Sequence, residues 1–181
     1  LNAVWVKSYS QPSASTSLNG CVITGDGGYV FAGERKPDYR AAYGSILLIK
    51  TNSVGDTVWT RTFSGHFNGL CNDLIRADNG NYLISFYTEA GNGGKTNVYE
   101  FSPAGDSVRS TAISNGLQLY NYVLIPDEGG EVHALMNSRA APIYESGVPV
   151  SQFNSSLVTL DATLDLLDDR NIQSESSNYF A

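Results

Sequence analysis

Basic residues are scarce in this 181-residue chain: 11 Lys and Arg stand against 18 Asp and Glu, for a net charge of −7, and they are scattered. Neutralising phosphates takes clustered cations, so a nucleic-acid partner is excluded, and the acidic balance favours solubility. No apolar run approaches the roughly 18 to 20 residues of a membrane-spanning helix, which argues against membrane insertion. Neither an initiator Met nor a signal-type segment opens the chain, so it is expected to begin after processing or at a cut. Cysteine is nearly absent. Cys21 and Cys71 make no disulfide framework and fit no zinc spacing. They either bridge neighbouring repeats or are two buried free thiols, and their unequal places in the repeat favour free thiols. Lys, Glu and Met are sparse while Gly, Ser, Thr, Asn and Tyr are plentiful, a balance that predicts short strands and tight turns with almost no helix. Chemistry is missing too. There is no Gly-x-Ser-x-Gly elbow and no Cys and His pair that suggests a nucleophile, so no catalytic residue and no cofactor is expected.

What is present is a repeat. The stretch Gly55-Asp56-Thr57-Val58-Trp59-Thr60-Arg61-Thr62-Phe63 has a near copy at Ala3-Val4-Trp5-Val6-Lys7-Ser8-Tyr9, a weaker one at Gly105 to Ser114 and a degenerate one at Leu164 to Gln173. A second register aligns Asn19 to Tyr29 with Asn72 to Tyr82 and with Asn121 to Glu131, at offsets of 53 and 49. Periods of about 40 to 50 residues point to propeller blades or solenoid turns. Each unit reads as four short extended runs broken by turn residues; in the first they are about 19–24, 29–33, 45–51 and 57–63. Gly27, with Gly80 and Gly129 as its partners, is the residue suited to a positive φ in the first hairpin turn. The third unit has Leu164 where the second turn's glycine should be, so that turn is expected to differ. The second and third runs, such as Tyr29-Val30-Phe31-Ala32 and Ile46-Leu47-Leu48-Ile49, are continuously apolar, as suits strands covered on both faces.

The run Leu48 to Gly65, preceded by Asp26-Gly27-Gly28-Tyr29-Val30-Phe31-Ala32-Gly33, resembles the β-propeller repeats of secreted and surface proteins of Bacteroidetes-type bacteria, and more distantly the quinoprotein-type repeat. The resemblance implies an all-β propeller of four-stranded antiparallel blades of about 50 residues, whole or as part of a larger ring. The expected units are an outer strand of a preceding blade at 3–10, blades at 11–64 and 65–113, a degenerate blade at 114–173 and the first strand of a further blade at 174–181. It also implies an extracellular or cell-surface protein with a non-enzymatic role in binding, adhesion or assembly. Alternatives are a structural subunit of a filament or oligomer that self-assembles through its end strands, and part of an enzyme or quinone-binding propeller whose active residues lie elsewhere. Fold alone decides none of these.

In such a blade the link between second and third strands carries recognition while the opposite turns keep regular geometry. Those links, at 34–44, 89–95 and 137–154, differ in length and carry Tyr39, Arg40, Tyr43, Tyr144 and Phe153, side chains that suit a protein or glycan surface. Other candidates have plainer readings. Gly91 to Thr96 lacks the first glycine of a phosphate loop and lies between strands. Asp161, Asp165, Asp168 and Asp169 match no calcium loop and read as a solvated acidic edge. His66 and His133 stand without a carboxylate or thiol at ligand spacing and read as structural. Asn154-Ser155-Ser156 is a glycosylation sequon by pattern only. Trp5 and Trp59 read as packing between blades.

Overall fold

A computed structural model of the chain describes residues 6–9, 14–67, 71–90, 93–113, 118–139, 143–145, 148–150 and 153–172. These residues contain no helix and form three four-stranded antiparallel sheets in which consecutive strands are neighbours. The first sheet comprises β1 (Ser15–Ile23), β2 (Tyr29–Lys36), β3 (Gly44–Thr51) and β4 (Thr57–Phe67). The second comprises β5 (Cys71–Arg76), β6 (Tyr82–Ala90), β7 (Gly93–Phe101) and β8 (Ser107–Ile113). The third comprises β9 (Gln118–Pro126), β10 (Val132–Arg139), β13 (Phe153–Leu160) and β14 (Leu166–Ile172), with a two-stranded hairpin of β11 (Ile143–Glu145) and β12 (Val148–Val150) set into the link between β10 and β13.

Six turns build these sheets, and all have one geometry. In each, the first residue's N–H donates to the carbonyl four residues on, and the fourth residue's N–H donates back to the first carbonyl, as at Thr24–Gly28 (2.9 and 2.9 Å) and Asn52–Asp56 (2.9 and 3.1 Å). The fourth residue must take the left-handed conformation, which glycine does at least cost. Gly27, Gly55, Gly80 and Gly105 do so, as expected. In the third sheet the residue is Gly130 (φ 84°), not Gly129, so its true offset from Gly80 is 50 and the sequence register slipped by one between adjacent glycines. The last turn, expected to differ, is the same: Asp161 N donates to Asp165 O and Leu164 N to Asp161 O at 2.9 Å each, with Leu164 itself at φ 65°.

The sheets pack face to face, and alternation along one strand serves two cores. On β6, Tyr82, Ile84 and Phe86 join Val30, Ala32, Ile46 and Leu48 of the first sheet. Leu83 points the other way, with Val98, into a cluster containing Val132, Ala134, Met136, Val158 and Leu160 of the third. The middle sheet is therefore covered on both sides, which explains its unbroken apolar runs. Each fully buried side chain of this size contributes about 1.5 to 3 kcal/mol. First strands lie side by side, β1 against β5 and β5 against β9. Gly20 permits the first approach, since a Cβ there would stand 2.6 Å from Leu74 Cβ. At the equivalent place Asp73 links the next pair: its Oδ2 accepts the Leu124 N–H of β9 at 2.8 Å.

Residues 6–9, the described part of the expected strand at 3–10, are tied to the first sheet by side chains. Lys7 Nζ donates to Asp56 Oδ1 (2.8 Å), the Tyr9 hydroxyl donates to Gly55 O (2.7 Å), and the Tyr9 ring lies 5.6 Å from that of Phe31. The expected strand at 174–181 and Trp5 lie outside the described residues. Both cysteines are free, but only Cys71 is buried; Cys21, expected inside, is exposed.

Candidate functional site

Because each sheet is a meander, both of its tight turns lie at one end and its second-to-third link at the other. The links are shorter than the sequence suggested. Glu34 to Lys36 belong to β2 and Gly44 to β3, while Glu89 pairs with Gly94 and Ala90 with Gly93, so Gly93 and Gly94 belong to β7. Asn137 to Arg139 extend β10, and Phe153 pairs with Arg139 at the start of β13. Tyr144 pairs with Pro149 in the β11–β12 hairpin. The side chains of Tyr144, Phe153, Asn154 and His66 lie outside the described residues.

The first link is the informative one. Asp38 Oδ1 accepts the N–H groups of Arg40 (2.7 Å) and Ala41 (3.0 Å), an Asx turn that holds residues 38–41 in place. On it Arg40 Nε donates to the Tyr39 hydroxyl at 2.8 Å, and its guanidinium carbon stands 5.1 Å from the Tyr39 ring centroid. Tyr39 is 75% exposed and Tyr43 45%. A cation held against an outward aromatic ring is an ordered contact surface.

The turn end holds two clefts at equivalent places. Between the first and second sheets, Thr24, Gly25, Asp26, Lys50, Arg76, Gly80, Tyr82 and Pro103 line a space of about 230 Å³. Their counterparts Ala77, Asp78, Asn79, Glu100, Pro126, Gly130, Val132 and Ala162 line about 200 Å³ between the second and third. In the first cleft the buried Lys50 ammonium donates to Asp26 Oδ2 (2.7 Å), Asp26 Oδ1 (3.0 Å) and Thr24 Oγ1 (3.3 Å). The hydrogen bond from Lys50, with help from Thr24 and the Gly28 N–H, holds the Asp26 carboxyl far below the usual range. In the second the polarity is reversed. Glu100, 2% exposed, accepts from Asn79 (2.9 Å) and Asn81 (2.6 Å) at Oε1 and pairs with Arg109 at Oε2. Burial raises the Glu100 carboxyl, but Arg109, Asn81 and Asn79 outweigh it and hold the group below its ordinary value. Both oxygens are engaged, and Lys50 has three acceptors, so these groups are arranged to neutralise one another and neither is poised as base or nucleophile.

At the corresponding place in the third sheet stands Thr159, whose Oγ1 lies 3.0 Å from His133 Nδ1. His133, read from sequence as having no carboxylate near it, is met by two: Asp127 Oδ2 lies 3.6 Å from its Nε2, and one ligand atom each from Asp127, Glu131 and His133 lie within 4.8 Å of one another. Asp161 and Asp165 sit in the last turn, where Asp161 caps the N–H groups of Thr163 (2.8 Å) and Asp165 (2.9 Å). Asp168 pairs with Arg170 on β14. The acidic quartet is therefore spread over a turn and a strand, as the plainer reading has it. Trp59 is half-buried, laid over Gly105 of the next sheet with Arg61 5.5 Å from its ring.

Sequence reading overlooked the clefts, although a signal existed. At one place in every repeat a polar residue, Lys50, Glu100 or Thr159, interrupts the third apolar run. No protein-family model matches the chain, and no curated protein is significantly similar to it.

Proposed function

We propose that the three sheets are consecutive blades of a propeller-like arrangement and that the protein is a non-enzymatic binding module whose link end meets a protein or glycan surface. Face-to-face packing, adjacent first strands and one turn geometry repeated six times support the arrangement. The observation that carries the binding role is the outward Tyr39 with Arg40 hydrogen-bonded to its hydroxyl and held against its ring on an ordered turn. Aromatic and Arg side chains give much contact for little ordering entropy, and the acidic body disfavours an anionic polymer. Placement outside the cell or on its surface rests on the repeat resemblance alone. The test is a variant with Tyr39→Ser, Arg40→Ser and Tyr43→Ser together, compared with the parent for binding to a glycan panel and to intact cells. Binding lost with the melting temperature little changed supports the proposal; binding retained by the variant, or absent in the parent, refutes it.

A second reading, assembly through the outer face of the third sheet, is favoured by one observation. Leu135 on β10 points away from the core that holds Ala134 and Met136, and it is exposed, as is Leu167 of β14 beside the outer groove, whereas the middle sheet is covered on both faces. Light scattering on dilution separates the two readings.

A further inference from the structure

We propose that Asp127, Glu131 and His133 form a binding site for a divalent transition-metal ion of the zinc type, with Thr159 positioning the imidazole. The hairpin between β9 and β10 brings the three together. Asp127 opens the turn and Glu131 closes it, because Asp127 N donates to Glu131 O at 3.0 Å. Glu131 and His133 are two apart on an extended chain and so project to the same side. Asp127 Oδ1 accepts the N–H of Gly129, which fixes the carboxylate and leaves Oδ2 turned toward His133 Nε2, 3.6 Å away.

The imidazole is held from the other side. His133 and Thr159 are direct cross-strand partners, and the Thr159 hydroxyl lies 3.0 Å from Nδ1. When Nδ1–H donates to that oxygen, Nε2 presents its lone pair to the two carboxylates. In the ion-free protein the ring proton can instead sit on Nε2, facing Asp127, with the Thr159 hydroxyl donating to Nδ1; a metal ion takes the place of that proton between Nε2 and the two carboxylates. An outer partner on the distal ring nitrogen is the arrangement metal-bound histidines adopt, since it sets the tautomer and raises ligand basicity. Donors about 2.0 to 2.2 Å from a tetrahedral zinc ion stand about 3.4 Å apart. Three donor atoms already within 4.8 Å of one another reach that spacing by small side-chain rotations.

Two carboxylates and one imidazole, with no thiolate, suit zinc, cobalt, manganese or iron and disfavour cuprous copper. The site faces a groove lined by Glu131, His133, Leu157, Thr159, Asp168 and Arg170 on the outer side of the third sheet, so a bound ion keeps positions open to water or to a ligand. Arg170 is paired with Asp168 and so does not cancel the charge of Asp127 and Glu131.

Cobalt(II) and zinc(II) are the probes. Titrating Co²⁺ into the apo-protein at neutral pH is expected to give visible d–d absorption that saturates at one equivalent, and Zn²⁺ should abolish it. Zinc should also shift the ring resonances of His133, assigned against His66→Ala. His133→Ala should remove the absorption, Glu131→Gln should weaken binding at least tenfold, and Thr159→Val should weaken it about 10- to 100-fold while Thr159→Ser retains it. Melting of each apo variant reports its fold, and if His133→Ala does not fold, Glu131→Gln and the Thr159 pair decide. Binding that survives these substitutions, or His133 resonances unmoved by zinc, overturns the proposal.

Discussion

Leu164→Gly, the change that restores the glycine of the two matching turns, is expected to destabilise the protein by about 2 kcal/mol. Leu164 has φ 65°, where a side chain costs about 1 to 2 kcal/mol, and Gly55 and Gly105 hold the same place at φ 83° and 84°. Repeat consensus would therefore expect a gain. Packing reverses the sign. Leu164 is 3% exposed and belongs to the core cluster with Val132, Val158 and Leu160, and truncating such a side chain costs about 2 to 5 kcal/mol. Glycine adds a further entropic loss of about 0.5 to 1 kcal/mol. The space exists because of a neighbour. Trp59 lies over Gly105 so closely that a Cβ there would stand 2.9 Å from its ring atoms, whereas Arg109, the residue equivalent to Trp59, is turned to Glu100. Leucine occupies room that a tryptophan fills one repeat earlier. Urea titration of parent and variant measures the difference, with the slope unchanged. A variant as stable as the parent, or more so, would refute the argument that burial outweighs strain here.

Two further outcomes follow from buried groups. Glu100 titrates below its ordinary value of 4.5, so the stability it contributes is fully present above that value and is lost as pH falls through the depressed one; Arg109→Ala should cost about 3 kcal/mol at pH 7 and progressively less in acid, and the same loss at both ends of a pH series of denaturant titrations would contradict the pairing. Burial pushes the Cys71 thiol up to about 12 and also raises that of the exposed Cys21, so in native buffer a thiol-specific disulfide reagent should label Cys21 alone and slowly, and both cysteines after unfolding; native labelling at Cys71 would show that β5 is not packed as described.

What the sequence disclosed was whatever depends on backbone demand, and what it concealed was whatever depends on neighbours. Gly27, Gly80, Gly55 and Gly105 could be read because only one residue type takes that turn position cheaply, and the spacing of such residues exposes the repeat. Where two glycines adjoin, at 129 and 130, demand does not choose between them, and the register slipped. Where a leucine takes the position, demand is overruled by a cavity supplied from another sheet, which no local pattern contains. The links were overestimated for a related reason: Gly93 and Gly94 read as loop, yet a ladder partner on β6 makes them strand. The His133 site was hidden in the same way. Glu131 was within reach of an alternation argument, but Asp127 joins only once the turn type is known, and Thr159 only once the register of β10 with β13 is known. The three polar residues that break the third apolar runs carry the argument furthest. Their place in the repeat is constant, while their partners change from Asp26, to Arg109 with two asparagines, to a histidine facing two carboxylates. Turn geometry holds the scaffold constant at that end, so the side chains there are free to diverge, and chemistry specific to this chain is to be sought at those positions as well as on the links.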